Sequence, residues 1–304
     1  MKQHKYRSIT HPLFVITAVL LLLSLSTTGR TARLTRLEPQ AKRGSTLVAV
    51  VSRPDADEPQ GNLDAVVLIE NGKLRQPYPE YNEVVQRKFG SEYFASGEKY
   101  RLTFGGGEVG SVTVKGFDMG CNNIHATANV EDNGKIPAHL SALATNSDSL
   151  GRKPASRRPP TDAERTAMNL LVTRIYRARG ATRAVLRTVV TTNLTATDLN
   201  SDGKFELIGS YKAEQKTRAR KDLLLIAEPA GVAFKPALVE FQAYKMPPEG
   251  FDSAIDFVDQ LDLDGDGIAE VFVRQHGFDA YGYSIYKKSR GRWQMVYTTS
   301  GDAC

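Results

Sequence analysis

Short apolar runs, alternating with polar residues or rich in valine, recur along most of the chain between turn residues. Such runs are typical of β-strands. The elements predicted in the first half are strands at 46–52, 64–70, 100–104, 111–116 and 121–130 and a short helix at 80–89. Asn71-Gly72 indicates a hairpin turn. We therefore expect a small β-rich N-terminal domain over residues 33–144.

One helical pattern stands near the middle of the chain. Thr161 and Glu164 form a capping-box pattern at its start, and Gly180 ends it. One face of this helix carries Glu164, Ala167, Met168, Leu171, Val172 and Ile175. Because that face is apolar apart from the glutamate, we expect it to pack on a sheet. The preceding segment, 145–160, holds three prolines and few apolar groups and is predicted to be a linker.

From residue 185 the pattern predicts strands and turns only. The eight strands are expected at 185–197, 205–212, 222–228, 232–244, 253–262, 269–275, 281–288 and 292–298. They divide into two groups of four, and each group opens with a strand, an acidic loop and a second strand. The spacing between the two acidic loops equals the length of one such group, which indicates an internal repeat.

The acidic loops are DLNSDGKFE at 198–206 and DLDGDGIAE at 262–270. Alternate positions of a curled loop point inward, and the glycine at position 6 allows a sharp turn. The candidate ligands are Asp198, Asn200, Asp202, the Lys204 carbonyl and Glu206 in the first loop, and Asp262, Asp264, Asp266, the Ile268 carbonyl and Glu270 in the second. Oxygen ligands in this number suit Ca²⁺ better than Mg²⁺, so we expect two structural calcium sites.

These loops are not EF-hands, because position 12 is Gly209 in the first loop and Val273 in the second and the flanks are strand-like. The alternative is a metal-free Asp-Gly hairpin turn. The pattern D-x-[DN]-x-D-G-x-x-E between strands resembles the calcium loops of FG-GAP and VCBS-type repeats, as in the integrin α propeller. The resemblance covers roughly 185–304. It departs in having Glu at position 9 and only two repeats.

That resemblance implies blade-like units in which the loop joins two strands of a four-stranded sheet. Closed propellers typically need 4–8 blades, so a closed propeller is not expected. The predicted fold is mainly β with one amphipathic helix near the middle. It contains two four-stranded antiparallel units with calcium-loop hairpins, stacked as a sandwich or joined by N-terminal strands, plus the small β-rich N-terminal domain; the helix and the repeats occupy 161–304.

The N-terminus has the pattern of a secretory signal peptide over 1–32. A basic region precedes a 13-residue apolar run, Leu13 to Leu25, and small polar residues follow. The chain is therefore predicted to be exported to the periplasm or the cell exterior, with no membrane span after cleavage. Four basic residues and no acid in 1–32 account for +4 of the net charge of +6, so total charge does not call for nucleic-acid binding.

A basic stretch covers residues 148–187, with ten Lys or Arg against three acids. We interpret it as a solvated linker and helix face; the alternative is a patch for anionic polymers or phospholipid head groups. The two cysteines, Cys121 and Cys304, would either pair or remain thiols. Gly105, Gly107 and Gly110 match G-x-G-x-x-G, but the strand-like residues after them favour a hairpin turn over a nucleotide site.

No catalytic motif is recognisable, and His125, His139 and His276 stand outside any such pattern. The sequence favours an exported, non-enzymatic, calcium-binding β-repeat protein that binds a protein or carbohydrate. Tyr281, Tyr283 and Tyr286 are interpreted mainly as sheet-facing core or cross-strand pairs; the alternative is an exposed face with Tyr281 and Tyr283 that binds the partner. The alternatives are a secreted hydrolase or its accessory domain, with the repeats as scaffold, and a structural protein of the envelope.

Overall fold

The computed structural model describes residues 44–53, 59–79, 81–120, 123–132, 134–137, 140–214, 219–245, 254–276, 280–299 and 302–303. The expected signal peptide, His139 and both cysteines, and with them the disulfide, lie outside these residues. None of the helices in the described part of the chain combines the length and apolar character that crossing a membrane requires.

The described residues form mainly strands, as the sequence predicts. The strands are β1 (Thr46–Ser52), β2 (Gln60–Glu70), β3 (Lys73–Arg75), β4 (Lys99–Phe104), β5 (Gly107–Gly120), β6 (Asn123–Glu131), β7 (Ala142–Thr145), β8 (Val189–Thr197), β9 (Glu206–Glu214), β10 (Ala219–Ala230), β11 (Ala233–Lys245), β12 (Ala254–Leu261), β13 (Glu270–His276), β14 (Ala280–Ser289), β15 (Arg292–Thr298) and β16 (Asp302–Ala303). The helices are α1 (Glu83–Tyr93), α2 (Asp162–Ala178) and α3 (Arg183–Leu186).

The expectation of strands and turns only from residue 185 was wrong at its start. Thr182 accepts a hydrogen bond from the Val185 N–H and caps the short helix α3, so β8 begins at Val189. Short polar side chains at such caps compensate for the unsatisfied N–H groups of a first turn, and this local signal at Thr182 was missed.

The N-terminal strands close into a six-stranded barrel, which the sequence did not predict. The hydrogen-bonded order is β1-β7-β4-β5-β6-β2, and β1 also pairs with β2. The predicted hairpin turn at Asn71-Gly72 joins β2 to β3, with φ of 50° and 71°. The glycine-rich segment forms the turn between β4 and β5, with positive φ at Gly105 and Gly106, as the hairpin interpretation requires. Closure leaves no free edge among the six strands.

The C-terminal strands form the two predicted four-stranded antiparallel units. We call β11-β10-β9-β8 the first sheet and β12-β13-β14-β15 the second sheet; the short strand β16 pairs with β14 in the second. Neither sheet closes on itself. Each acidic loop joins two neighbouring antiparallel strands, β8 to β9 and β12 to β13.

The two sheets stack in the same direction, so equivalent residues of the repeat point the same way. Leu207 packs beside α2 and Ile208 between the two sheets. Their equivalents in the second repeat, Val271 and Phe272, pack between the sheets and against the barrel. This front-to-back order is that of neighbouring propeller blades, whereas a two-fold sandwich would bring equivalent faces together.

The outer face of each sheet is covered by another element. Helix α2 buries Met168, Leu171 and Val172 against the first sheet, as its apolar face predicts. Tyr176, which was not in the predicted set, is also buried, and its hydroxyl donates to the Lys221 carbonyl at 3.0 Å. The outer wall of the barrel covers the second sheet. A stack of repeats needs such caps because its terminal faces are otherwise apolar and exposed.

Residues 156–158 of the predicted linker lie between the barrel and both sheets. Arg158 and Ala196 exchange two backbone hydrogen bonds, of 2.9 and 3.0 Å. The Arg157 side chain, expected to be solvated, is only 3% exposed and forms an ion pair of 3.3 Å with the fully buried Asp259. The structure therefore corrects the expectation that this part of the basic stretch is solvated. The division of the chain into separate domains remains a prediction.

Arg157 contacts all three parts of the fold. Its guanidinium lies 4.7 Å from the ring centre of Phe104 in the barrel and 4.6 Å from that of Phe257 in the second sheet. It also donates to the Thr195 hydroxyl of the first sheet, at 3.4 Å. Burial raises the pKa of Asp259, although Arg157 and a backbone N–H act in the opposite direction. The ion pair is thus a central contact between the three layers.

We expect Arg157→Met to lower the free energy of unfolding by about 3–5 kcal/mol, because it leaves Asp259 buried without its cation. Arg157→Met/Asp259→Leu should cost at least about 1 kcal/mol less than the two single variants added together. Urea unfolding of the four proteins gives this coupling energy. The exposed Glu83–Arg87 pair is the matched control, with coupling of at most about 0.5 kcal/mol. If the losses in free energy of unfolding caused by the Arg157 and Asp259 substitutions simply add, the two side chains are not coupled and the central role of the ion pair is wrong.

Glu164 is expected to stabilise the start of α2 in a pH-dependent way. Hydrogen bonds from Arg158 lower the pKa of Glu164 from 4.5 to about 2, and its carboxylate also accepts the Thr161 N–H in the capping box. Its contribution is therefore present above pH 4.5 and is lost as the pH falls through about 2. Glu164→Gln should cost about 1–2 kcal/mol near neutral pH and progressively less in acid, measured by urea unfolding.

Candidate metal centre

The structure places all ten predicted ligand residues in two matching hairpin loops. We call 198–206 the first acidic loop and 262–270 the second acidic loop. Each follows the first strand of its sheet and leads into the second, so the flanks are strands rather than helices. The backbone N–H of Ala269 donates to the carbonyl of Leu199 at 2.7 Å, which joins the two loops directly.

Side-chain oxygens hold the first acidic loop in its curled form. Asp198 accepts hydrogen bonds from the N–H groups of Asp202 at 3.2 Å and Gly203 at 2.8 Å. Asn200 accepts from the Asp202 N–H at 3.0 Å, and Asp202 accepts from the Lys204 N–H at 2.8 Å. Positions 1, 3 and 5 therefore face backbone donors inside the turn.

The second acidic loop repeats this scaffold at the equivalent positions. Asp262 accepts from the Gly267 N–H at 3.2 Å, and Asp264 accepts from the Asp266 N–H at 3.4 Å. Asp266 accepts from the Ile268 N–H at 2.9 Å. The same three positions bind the same three donors in both loops, so the repeat extends from residue types to hydrogen bonding.

The glutamate at position 9 is buried in both loops. Glu206 is 5% exposed and Glu270 is 2% exposed. Each accepts the N–H of position 2, Leu199 at 2.9 Å and Leu263 at 2.8 Å. Burial raises the pKa of both carboxyls, and these hydrogen bonds partly oppose it. The longer glutamate side chain thus spans the loop where the resembling repeats usually carry aspartate.

Carboxylate oxygens converge in the second acidic loop. One oxygen from each of Asp262, Asp264 and Glu270 lies within 4.8 Å of the other two. Among the described residues, this is the sole group of three acidic, histidine or cysteine ligands that meets so closely. Hard anionic oxygens at this separation fit a divalent cation such as Ca²⁺ by donor chemistry.

A lysine ammonium contacts two of these three carboxylates and that of Asp266. Lys287 donates to Asp264 at 2.5 Å, to Asp266 at 2.7 Å and to Glu270 at 2.9 Å. Burial lowers the pKa of Lys287, but these three hydrogen bonds outweigh it and raise the pKa above its usual value. The same contact lowers the pKa of Asp266. The Lys287 side chain therefore supplies a positive charge to the carboxylates of the second loop.

A second ammonium contacts position 1 of this loop. Lys153 donates to Asp262 at 3.0 Å and to the carbonyl of Gly267 at 3.1 Å. Neither lysine was identified from the sequence. For Lys287 a signal exists: β13 and β14 pair Val271 with Tyr286, so Lys287 stands across from Glu270. For Lys153, which approaches through the tertiary fold, we find no signal.

The first acidic loop lacks such compensation. Among the described residues, no lysine or arginine forms a hydrogen bond or ion pair with Asp198, Asp202 or Glu206. Strand β9 pairs Leu207 with Ala227 of β10, so Glu228 stands across from Glu206. In the second sheet the position across from the equivalent glutamate is Lys287. The first loop has one carboxylate fewer than the second, but its carboxylates have no lysine or arginine partner among the described residues.

We expect Lys287→Met to destabilise the protein in the presence of EDTA, because three carboxylates would then lose their shared cation. The free energy of unfolding should fall by about 1–3 kcal/mol. Urea unfolding measures it, with Lys204→Met in the first loop as the control, expected within about 0.5 kcal/mol of the unmodified chain. An unchanged Lys287→Met would mean that the ammonium contributes nothing to the loop.

No protein-family model matches this chain, and no curated protein and no solved structure matches it. The resemblance to FG-GAP and VCBS-type repeats therefore remains a prediction from the residue pattern of the two loops.

Proposed function

We propose that this is an exported, non-enzymatic, calcium-stabilised β-repeat protein that acts in binding or recognition at the cell exterior. The observation that carries the proposal is the hydrogen-bond scaffold that both acidic loops share. It holds positions 1, 3 and 5 of each loop toward the inside of a hairpin between antiparallel strands. Calcium sites need this inward ring of oxygens on a rigid turn.

The first acidic loop is the better calcium site in this proposal. Its donors are Asp198, Asn200, Asp202, the carbonyl of Lys204 and Glu206, and among the described residues no ammonium competes with an ion there. In the second loop an ion must displace Lys287, whose Nζ lies 2.5–2.9 Å from three carboxylate oxygens. Bound calcium would balance the charge of the first loop as Lys287 balances that of the second.

The hydrolase alternative gains little from the structure. A polar cleft contains His125, but Asp64 is the sole carboxylate among the described residues that line it. Hydrolysis needs a second acid or an activated nucleophile, and Ser52, which lines this cleft, forms no hydrogen bond with His125 in the described part of the chain. His276, also in that cleft, lies 4.0 Å from Asp256. We therefore retain the non-enzymatic proposal.

Calcium should raise the unfolding temperature of the full chain. At a hundredfold excess over Kd the gain is about 2.7 kcal/mol, or roughly 5 °C or more for a chain of this size. Asp198→Asn should remove most of this gain and Asp262→Asn little of it. The measurement is thermal unfolding in excess Ca²⁺ and in EDTA.

The matched control is Asp148→Asn, because that side chain is fully exposed outside the loops. It should respond to calcium as the unmodified chain does. Lys287→Met should gain a second calcium ion in a calorimetric titration, since its ammonium no longer competes. Equal midpoints in Ca²⁺ and EDTA would refute the calcium proposal.

A further inference from the structure

A polar cleft of about 390 Å³ opens where the barrel and the second sheet diverge. The apolar contact between them involves Val48, Val50 and Val66 on the barrel. Further along the same strands, the outward positions of the barrel change from apolar to polar. Ser52, Asn62, Asp64 and His125 form the barrel side of the cleft, and Arg274, His276 and Tyr281 form the sheet side.

Among the described residues, the Arg274 guanidinium has no hydrogen-bond or ion-pair partner at this cleft. Its Nε is buried and has no hydrogen bond, and the side chain forms no hydrogen bond or ion pair with any described residue. The carboxylates of the neighbouring strands are engaged elsewhere. Asp256, across the β12–β13 ladder, accepts from Thr192 at 3.2 Å, and Asp64 accepts from the Tyr283 hydroxyl at 2.7 Å.

An unpaired, partly buried cation is costly to the fold. Arginine is common in sites that bind a carboxylate or a phosphate, because its planar, forked guanidinium matches the oxygens of these groups. The volume of the cleft suits a small molecule rather than a polymer face. The missing partner of Arg274 is therefore best supplied by the acidic group of a small ligand.

The other side chains of the cleft suit a ring that carries hydroxyl groups. Tyr281 is partly exposed and supplies an aromatic face, whereas Tyr283 is only 4% exposed and belongs to the core, as the first interpretation of these tyrosines predicts. Asn62, Ser52 and His125 supply polar atoms on the opposite wall. An aromatic face opposite amide, hydroxyl and imidazole groups complements the apolar face and the hydroxyls of a pyranose.

We propose that this cleft binds an acidic sugar, a pyranose that carries a carboxylate or a phosphate. The Arg274 guanidinium binds the acidic group, the Tyr281 ring packs on the sugar ring, and the barrel side of the cleft binds its hydroxyls. This ligand class goes beyond calcium binding. The site shares no residue with the acidic loops, so its test is independent of the calcium test.

The test is calorimetric titration of the full chain in EDTA with glucuronate, glucose 6-phosphate, glucose and inorganic phosphate. At least one of the two acidic sugars should bind more tightly than glucose, by about tenfold or more. The sugar that binds more tightly shows whether the site takes a carboxylate or a phosphate. No binding of either acidic sugar, or equal binding of glucose, would overturn the proposal. Inorganic phosphate binding as tightly as glucose 6-phosphate would overturn the sugar assignment.

Arg274→Gln should weaken the acidic sugar by about tenfold or more, and Tyr281→Ala should weaken it several-fold. Arg292→Gln, on the exposed side of β15, is the matched control and should bind normally. Unfolding midpoints of the variants provide a second measurement. Arg274→Gln should unfold at the same or a higher temperature, because it removes an unpaired charge. Retained sugar binding in this variant would refute the role of Arg274.

Discussion

The buried ion pair of Arg157 and Asp259 is the contact on which the arrangement of the layers depends. Taking two charges out of water is expensive, and attraction repays it only when hydrogen bonds and neighbours are well placed. Here Asp259 also accepts the N–H of Gly105 in the barrel, at 3.0 Å, and Arg157 donates to the carbonyl of Val258 at 2.7 Å. Because these partners come from different layers, the full set of contacts forms only when barrel, first sheet and second sheet meet in one register.

The layers themselves follow from the need to cover apolar faces. Two blade-like sheets stacked front to back bury one face of each against the other and leave two faces open. Helix α2 covers one of them and the barrel wall covers the other. A closed propeller solves the same problem with more blades. Two repeats are sufficient here because elements from outside the repeats cover both terminal faces. One of these elements is the barrel wall, so the barrel packs directly on the second sheet.

The acidic loops show two ways of balancing crowded carboxylates. In the second loop Lys287 approaches from the adjacent strand and binds three of them, which offsets part of their charge. In the first loop Glu228 takes the corresponding place, and among the described residues no lysine or arginine contacts the carboxylates of that loop. The number and convergence of its carboxylates favour the second loop as the proposed calcium site, whereas the first loop is favoured because no ammonium of a described residue contacts its carboxylates. The N–H of Ala269 donates to the carbonyl of Leu199, so a backbone hydrogen bond joins the two loops.

The sequence by itself determined the local elements: strands from period-two runs, the capped helix from Thr161 and Glu164, the glycine hairpin turn, and two repeats from the recurring acidic loop. Each of these depends on residues close together in the chain. The tertiary structure alone decided barrel closure, the burial of Arg157, the partners of the acidic loops and the cleft at Arg274. These depend on groups brought together from distant segments, where burial and charge are set by neighbours that the local pattern does not contain.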